Sequence, residues 1–188
     1  MKLSSYVVVH DYGFAPNPFG GVLTLATCKP DIRKSAALGD WVMGTGSKRG
    51  VGSNSLLFAG RVSKILPMDV YGSSSEFKSK IPTFGSDAWK RRGDNIYVKE
   101  SGRWRQRKNP FHGEADVAHD LSGKNVLVCQ QFWYFGTKAP QIPTEYSALI
   151  KVGSKHKNNI GSTVIHLFLE WLQSLPAGLT GEPSTKVA

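Results

Sequence analysis

The chain has 188 residues, enough to bury a core without metal or disulfide staples. A 40% hydrophobic share and five tryptophans exclude a disordered chain. Lys and Arg number 24 against 14 Asp and Glu, a net charge of +10 that favours DNA, RNA or a nucleotide as partner, because phosphate contacts release counterions. A solvated basic surface with no specific partner would give the same balance.

The amino-terminal MKLSSYVVVHDYG carries one lysine and an apolar run too short for a signal peptide. The late run VIHLFLEWL is too short to cross a bilayer. A soluble cytoplasmic protein with no membrane partner is expected. Cys28 and Cys129 do not make a secreted disulfide framework, which points to a reducing compartment.

Residues Tyr6 to His10 predict a buried first strand, broken by the punctuation of DYGFAPNPFGG. VLTLATC predicts a second, Val22 to Cys28. Pro30 opens a short helix over DIRKSAAL that Gly39 stops, and Asp40 leads into the strand WVMG. Thr45 to Ser55, TGSKRGVGSNS, is a polar glycine-rich loop before the strand LLFAGRVSKIL, giving a hairpin or barrel edge. It lacks the GK[ST] ending of a phosphate-binding P-loop and a strand follows it, so that motif is excluded.

From Met68 to Asn109 charge, glycine and serine alternate with aromatics, a basic insertion in which GDNIYVKES and GRWRQRK pair through a Ser101–Gly102 turn. NPFHGEADVAHDLSG reads as a loop, NVLVCQQFWYFG as one strand, and SALIKV as a short further segment. Ser162 to Leu175 predicts a helix with a broad apolar face, ended by Pro176 and Gly178. One domain over residues 1–176 and a flexible tail over 177–188 follow. Many short strands with two or three helices predict an α+β fold: a small mixed or antiparallel β-barrel with flanking helices.

The strongest local binding signal runs from Trp89 to Trp104. Arg91, Arg92, Arg103 and Arg105 suit phosphate, the two tryptophans suit base stacking, and Asn95 lies between them. Tryptophans in the core with arginines outside would read the same way. Lys48 and Arg49, beside Ser47 in the glycine-rich loop, are further phosphate candidates. Successive residues of Phe132–Trp133–Tyr134–Phe135 point to opposite faces, so one pair needs a covering helix, partner or ligand.

Acid–base chemistry has two sources: His10 with Asp11, and Asp116 with His119 in HGEADVAHD. His112, Asp116, His119 and Asp120 also have metal-ligating atoms, but their spacing matches no zinc motif, and no metal or cofactor is expected. A cysteine nucleophile needs a partner that the sequence does not display, so Cys28 and Cys129 read as small buried residues.

HDYGFAPNPFGGVLTLATCKPDIR, GDWVMGTGS, RRGDNIYV and FWYFG together resemble the nucleotide modification associated domain 2 family, over roughly His10 to Val152. The resemblance implies a bacterial or phage protein that handles modified bases or nucleotides, by catalysis or by recognition. GDWVMGTGS followed by LLFAGRVSKI more loosely resembles the PUA-like domains, whose aromatic cages imply Trp41 as a stacking residue. A PUA-like barrel is the fold so implied.

Three functions are compatible with these observations. The first is recognition of a modified or flipped base in DNA or a nucleotide, with Phe14, Trp41, Trp89 and Trp104 stacking and Asn17 and Asn95 reading a base edge. The second is an enzyme of base or nucleotide modification, a glycosidic-bond hydrolase or a transferase, using His10, Asp11, Asp116 or His119. The third is an adaptor with a protein partner in a modification complex.

Overall fold

The computed structural model describes residues 1–85 and 87–185. The strands, in chain order, are β1 (Leu3–Val7), β2 (Leu23–Leu25), β3 (Trp41–Thr45), β4 (Leu56–Arg61), β5 (Lys64–Pro67), β6 (Tyr97–Glu100), β7 (Arg103–Gln106), β8 (Asn125–Cys129), β9 (Gln131–Tyr134), β10 (His156–Lys157) and β11 (Gly178–Leu179). The α-helices are α1 (Pro30–Ser35), α2 (Met68–Ser73), α3 (Glu114–Ser122) and α4 (Ser162–Gln173). These elements form two compact units, the first from residues 1–12, 37–62 and 130 onward, the second from 13–36 and 63–129.

The first unit is a mixed sheet of order β10-β1-β3-β4-β9-β11. β1 runs parallel to β3 with Leu3 opposite Trp41, and β3 runs antiparallel to β4. Alternation sends Trp41 and Met43 of β3 to one face, where they join Leu3, Ala59 and Trp133. Helix α4 covers that face with Ile165, Phe168, Leu169 and Leu172, each burial contributing roughly 1.5–3 kcal/mol. The sequence legibly gave this helix: apolar residues recur at helical spacing and Pro176 follows its end. At Gly44 a β-carbon would lie 2.3 Å from the Phe58 ring, so close strand packing requires glycine there.

The α+β class stands, but among the described residues none of the sheets closes into a barrel. The first sheet ends in two-residue strands, β10 and β11, at opposite edges, too short to supply the tilted, staggered pairing that closure needs. The segment expected to fray after Ala177 instead supplies β11, parallel to β9, with Thr180 N–H donating to Tyr134 O at 2.9 Å. Residues 186–188 of that expected tail lie outside the described residues.

The second unit holds the antiparallel sheet β2-β8-β5 and the hairpin β6–β7. The hairpin turns at Ser101 and Gly102, both at positive φ, as the sequence predicts. Two apolar runs expected as single strands are divided: β4 from β5 near Ser63, and β8 from β9 at Gln130. A polar residue interrupts each run, and the alternation on either side conceals the change of sheet. NPFHGEADVAHDLSG, expected as a loop, contains α3; Asp116 Oδ2 accepts the Gly113 N–H at 2.9 Å and starts the helix. Among the described residues no helix is long and apolar enough to cross a membrane.

Candidate active site

In the second unit β2 ends at Leu25 and α1 begins at Pro30, and the chain turns sharply between them. Cys28 and Lys29 adopt φ of 55° and 40°, left-handed values that cost a non-glycine residue about 1–3 kcal/mol. The turn is held from both sides. Asp120 Oδ1 accepts the Cys28 N–H at 2.7 Å, and Arg33 Nε donates to Cys28 O at 2.8 Å.

Arg33 is fully buried, and its guanidinium reaches onward to Asn125 O at 2.9 Å and Asp120 O at 2.5 Å. One planar fork thus ties the Cys28 turn to the end of α3 and the start of β8. Gly123 makes room for it: a β-carbon there would fall 2.3 Å from Arg33 Cζ. Burial draws the Arg33 pKa below the ordinary arginine value, and Asp120 is the main counterweight.

His112 is delivered by the NPFHG loop that precedes α3. Asn109 Oδ1 accepts the N–H groups of Phe111 and His112 at 3.0 and 2.7 Å, an Asx turn, and Gln106 Nε2 donates to His112 O at 3.2 Å. Phe14 packs edgewise on the imidazole with ring centroids 4.9 Å apart, and on Phe111 at 4.7 Å. The ring then spans two partners. Its Nδ1 lies 2.6 Å from Asp120 Oδ2, and its Nε2 lies 3.5 Å from Cys28 Sγ. Tyr97 OH donates to the same Oδ2 at 2.9 Å.

The electrostatics follow from this chain of contacts. Burial works against charge on His112, yet the hydrogen bond to Asp120, helped by Cys28, raises its pKa to about 10. Burial alone would raise Asp120; its hydrogen bond and charge interaction with His112 hold it below the usual carboxylate range. Burial, with Asp120 next to it, keeps Tyr97 protonated. An imidazolium–carboxylate pair therefore sits against the Cys28 sulfur, with Nε2 placed to exchange a proton with it. Cys129 is the contrast: burial pushes its thiol up to about 12.

Nucleophile, base and base-orienting carboxylate in this order form the arrangement that activates a thiol for covalent catalysis. Cys28 Sγ, a His112 nitrogen and an Asp120 oxygen also lie within 4.8 Å of one another, close enough to consider a metal. The donor directions argue otherwise. Asp120 spends Oδ2 on His112 and Tyr97 and Oδ1 on Cys28 N–H, leaving two ligands where a catalytic zinc takes three.

A family model described as nucleotide modification associated domain 2 matches residues 1–188. The chain belongs to this family. No curated protein and no solved structure gives a match. Membership in the nucleotide modification associated domain 2 family implies a role in nucleotide modification systems.

In this family member the residues expected from the sequence fall into several groups. Asp116 caps α3 and His119 is exposed on it; neither joins the Cys28 cluster. His10 and Asp11 belong to the first unit. There Asp11 is buried, its carboxylate accepting from Tyr134 OH and from Ser184 N–H at 2.9 Å, while His10 stacks on Tyr12. Trp41 is buried against Trp133 under α4. Asp40 accepts from Lys2 and Ala37 N–H groups and fixes the turn before β3.

Asn17 and Asn95 have their amides consumed within the second unit. Asn17 donates to Gly13 O and Arg92 O and accepts from Lys80 Nζ at 2.9 Å; Asn95 donates to Tyr71 O and accepts from Arg107 at 2.7 Å. Phe14 is buried but forms a wall of the Cys28–His112 site. Trp89 and Trp104 are 40% and 38% exposed, with Lys90 Nζ 5.5 Å from the Trp89 ring centroid and Lys99 Nζ 5.7 Å from that of Trp104. Arg103 is exposed, Arg91 and Arg92 are half-buried, and Arg105 is paired with Glu100 through two hydrogen bonds.

The reading of Cys28 as an inert core residue is corrected: it is half-buried and in contact with His112. A legible signal was the position of Cys28–Lys29–Pro30 between a strand and a helix, where a nucleophile elbow places its residue. The partners were not legible. His112 lies 84 residues away, and recognising Asp120 required recognising α3.

Proposed function

We propose that the protein is a cysteine-dependent enzyme of a nucleotide modification system, with Cys28 as nucleophile, His112 as acid and base, and Asp120 orienting His112. The observation that carries this reading is the Cys28 Sγ–His112 Nε2 contact of 3.5 Å, completed by the His112 Nδ1–Asp120 contact of 2.6 Å.

The chemistry this supports is transfer at an electrophilic carbonyl carbon of a modified base or nucleotide. The Cys28 thiolate attacks that carbon, and the bond to the leaving nitrogen or oxygen breaks as His112 Nε2 gives it a proton. A thioester results, and His112 is left neutral. Water then attacks the thioester and yields a proton to Nε2, releasing an acid and restoring the thiolate–imidazolium pair. With an amine in place of water the same steps make a transferase. Phe14 and Phe111, stacked beside His112, supply an apolar wall that limits water at the sulfur.

The test is incubation of wild type and Cys28→Ala with nucleotides and short oligonucleotides bearing acylated or amide-substituted bases, followed by intact-protein and product mass spectrometry. The expected result is an acyl adduct on Cys28 and a converted base with wild type only. Conversion that persists in Cys28→Ala overturns the proposal.

A second reading, recognition of a modified base without turnover, is favoured by the exposed Trp89 and Trp104 beside Arg91, Arg92 and Arg103. It predicts selective binding that Trp104→Ala weakens, with every base recovered unchanged.

A further inference from the structure

We propose that the pocket beneath the Gly46–Val51 loop of the first unit is a second site, which binds a nucleoside phosphate. The pocket has a volume of about 630 Å³ and is lined by Val8, Val9, His10, Leu57, the loop itself, Ser184 and Thr185. That volume lies within the roughly 300–1,000 Å³ typical of small-molecule sites. All of these residues belong to the first unit, and none is used by the Cys28 chemistry.

The loop is built to present its tip. Ser47 O accepts the N–H groups of Gly50 and Gly52 at 3.0 and 3.2 Å, and Gly46 N–H donates to Ser55 O at 2.9 Å. A β-carbon at Gly46 would lie 2.5 Å from Gly52 O, and Gly52 has a φ of 104°, so the tight fold needs glycine at both positions. Gln141 Nε2 donates to Ser55 Oγ at 2.7 Å and anchors the root. The tip that remains carries Lys48 and Arg49, both exposed, and neither is ion-paired among the described residues.

The opposite wall is fixed just as firmly. Asp11 Oδ2 accepts Ser184 N–H and Asp11 O accepts Thr185 N–H, both at 2.9 Å, while Asp11 N–H donates to Thr185 Oγ1 at 3.1 Å. Buried Asp11 thus acts as the tie that holds two hydroxyl residues at the pocket.

The chemistry of the lining selects the ligand. The lining residues include two cations, Lys48 and Arg49, and three hydroxyl residues, Ser47, Ser184 and Thr185, and among the described residues no Asp or Glu lines the cavity. A phosphate monoester, carrying about −1.5 to −2 charges and three strong acceptors, complements that set. Val8, Val9 and Leu57 give an apolar floor, and the His10 ring, stacked on Tyr12 at 5.9 Å and 19°, gives a flat surface suited to a base. The assignment to a nucleoside phosphate draws on family membership, not on the reactivity of Cys28.

Equilibrium binding by titration calorimetry tests the site. Deoxynucleoside monophosphates, the matching nucleosides and a 5′-phosphorylated tetranucleotide are titrated into wild type, Lys48→Gln/Arg49→Gln and Cys28→Ser. Phosphorylated ligands are expected to bind at least tenfold more tightly than nucleosides, and to lose at least tenfold in the double variant. Cys28→Ser should bind as wild type does, so failure of the thiol chemistry leaves this result intact. Tighter binding of the tetranucleotide assigns the site to a strand end, and tighter binding of the mononucleotide assigns it to a free nucleotide; either supports the site. Equal affinity for nucleoside and nucleotide, no binding of either, or affinity unchanged in the double variant overturns it.

Discussion

Replacing Asp120 with asparagine keeps the volume of the side chain and removes its charge. In the native protein the carboxylate takes the Cys28 N–H at 2.7 Å, His112 Nδ1 at 2.6 Å and Tyr97 OH at 2.9 Å. An amide has one acceptor oxygen, so one side of this array then faces an N–H₂ group, whichever way the amide is turned. Breaking a buried pair by removing one partner costs about 3–5 kcal/mol. The penalty depends on pH with a definite sign. His112 is raised from an ordinary value near 6.5 to about 10, so its contribution to stability is complete below 6.5 and drains away as pH rises towards 10. Asp120 is lowered, so its contribution holds above the ordinary carboxylate value near 3.8 and is lost as pH falls below it. The difference between wild type and Asp120→Asn should therefore be greatest near pH 5–6 and shrink by pH 9–10. Urea denaturation at pH 5.5, 7.5 and 9.5 measures it. A gap below about 0.5 kcal/mol, within the range of ordinary surface substitutions, or a gap that widens with pH, would refute the reasoning.

Lys80 titrates in the opposite sense. Burial draws it down to about 8, with Asp94 working against that fall, so its own contribution to stability should rise with pH from about 8 to 10.5 and oppose the loss from His112; in the same denaturation series Lys80→Met should therefore lose stability relative to wild type as pH rises through that window. Gly123→Ala drives a methyl into the Arg33 guanidinium and should cost about 1–3 kcal/mol by overpacking; denaturation measures the loss, and alkylation should show a slower Cys28. Trp41→Ala should cost about 3–5 kcal/mol because the side chain lies in the core under α4. Trp104→Ala should shift stability by no more than about 0.5 kcal/mol, since its ring is exposed on β7.

Where neighbouring residues determined structure, the sequence displayed it. The α4 stripe, the Ser101–Gly102 hairpin, the β3 strand after Asp40 and the glycine-rich loop all follow from local spacing and turn chemistry. What failed was long-range or weakly patterned. LLFAGRVSKIL and NVLVCQQFWYFG each look continuous, and nothing local says that Ser63 and Gln130 mark a change of sheet. α3 is short and mostly polar, with Val117 and Leu121 as its main apolar signal, so His112 and Asp120 read as loop residues and Asp116 and His119 as their equals. Asn17 and Asn95 illustrate the reverse error. A polar amide in a basic, aromatic sequence suggests a base reader, whereas here each completes a buried network around Lys80 or Arg107. Burial, which decides between the two roles, depends on the whole fold.

The central claim, that Cys28 is activated by His112, is tested most directly by the site-resolved rate of iodoacetamide alkylation between pH 5.5 and 9.5 in wild type and His112→Gln. Peptide mass spectrometry follows Cys28 and uses Cys129, which is fully buried, as the internal control. The account predicts that Cys28 of wild type is alkylated faster than Cys129, and that His112→Gln slows Cys28 at least tenfold. Equal Cys28 rates in wild type and His112→Gln across that range would contradict it.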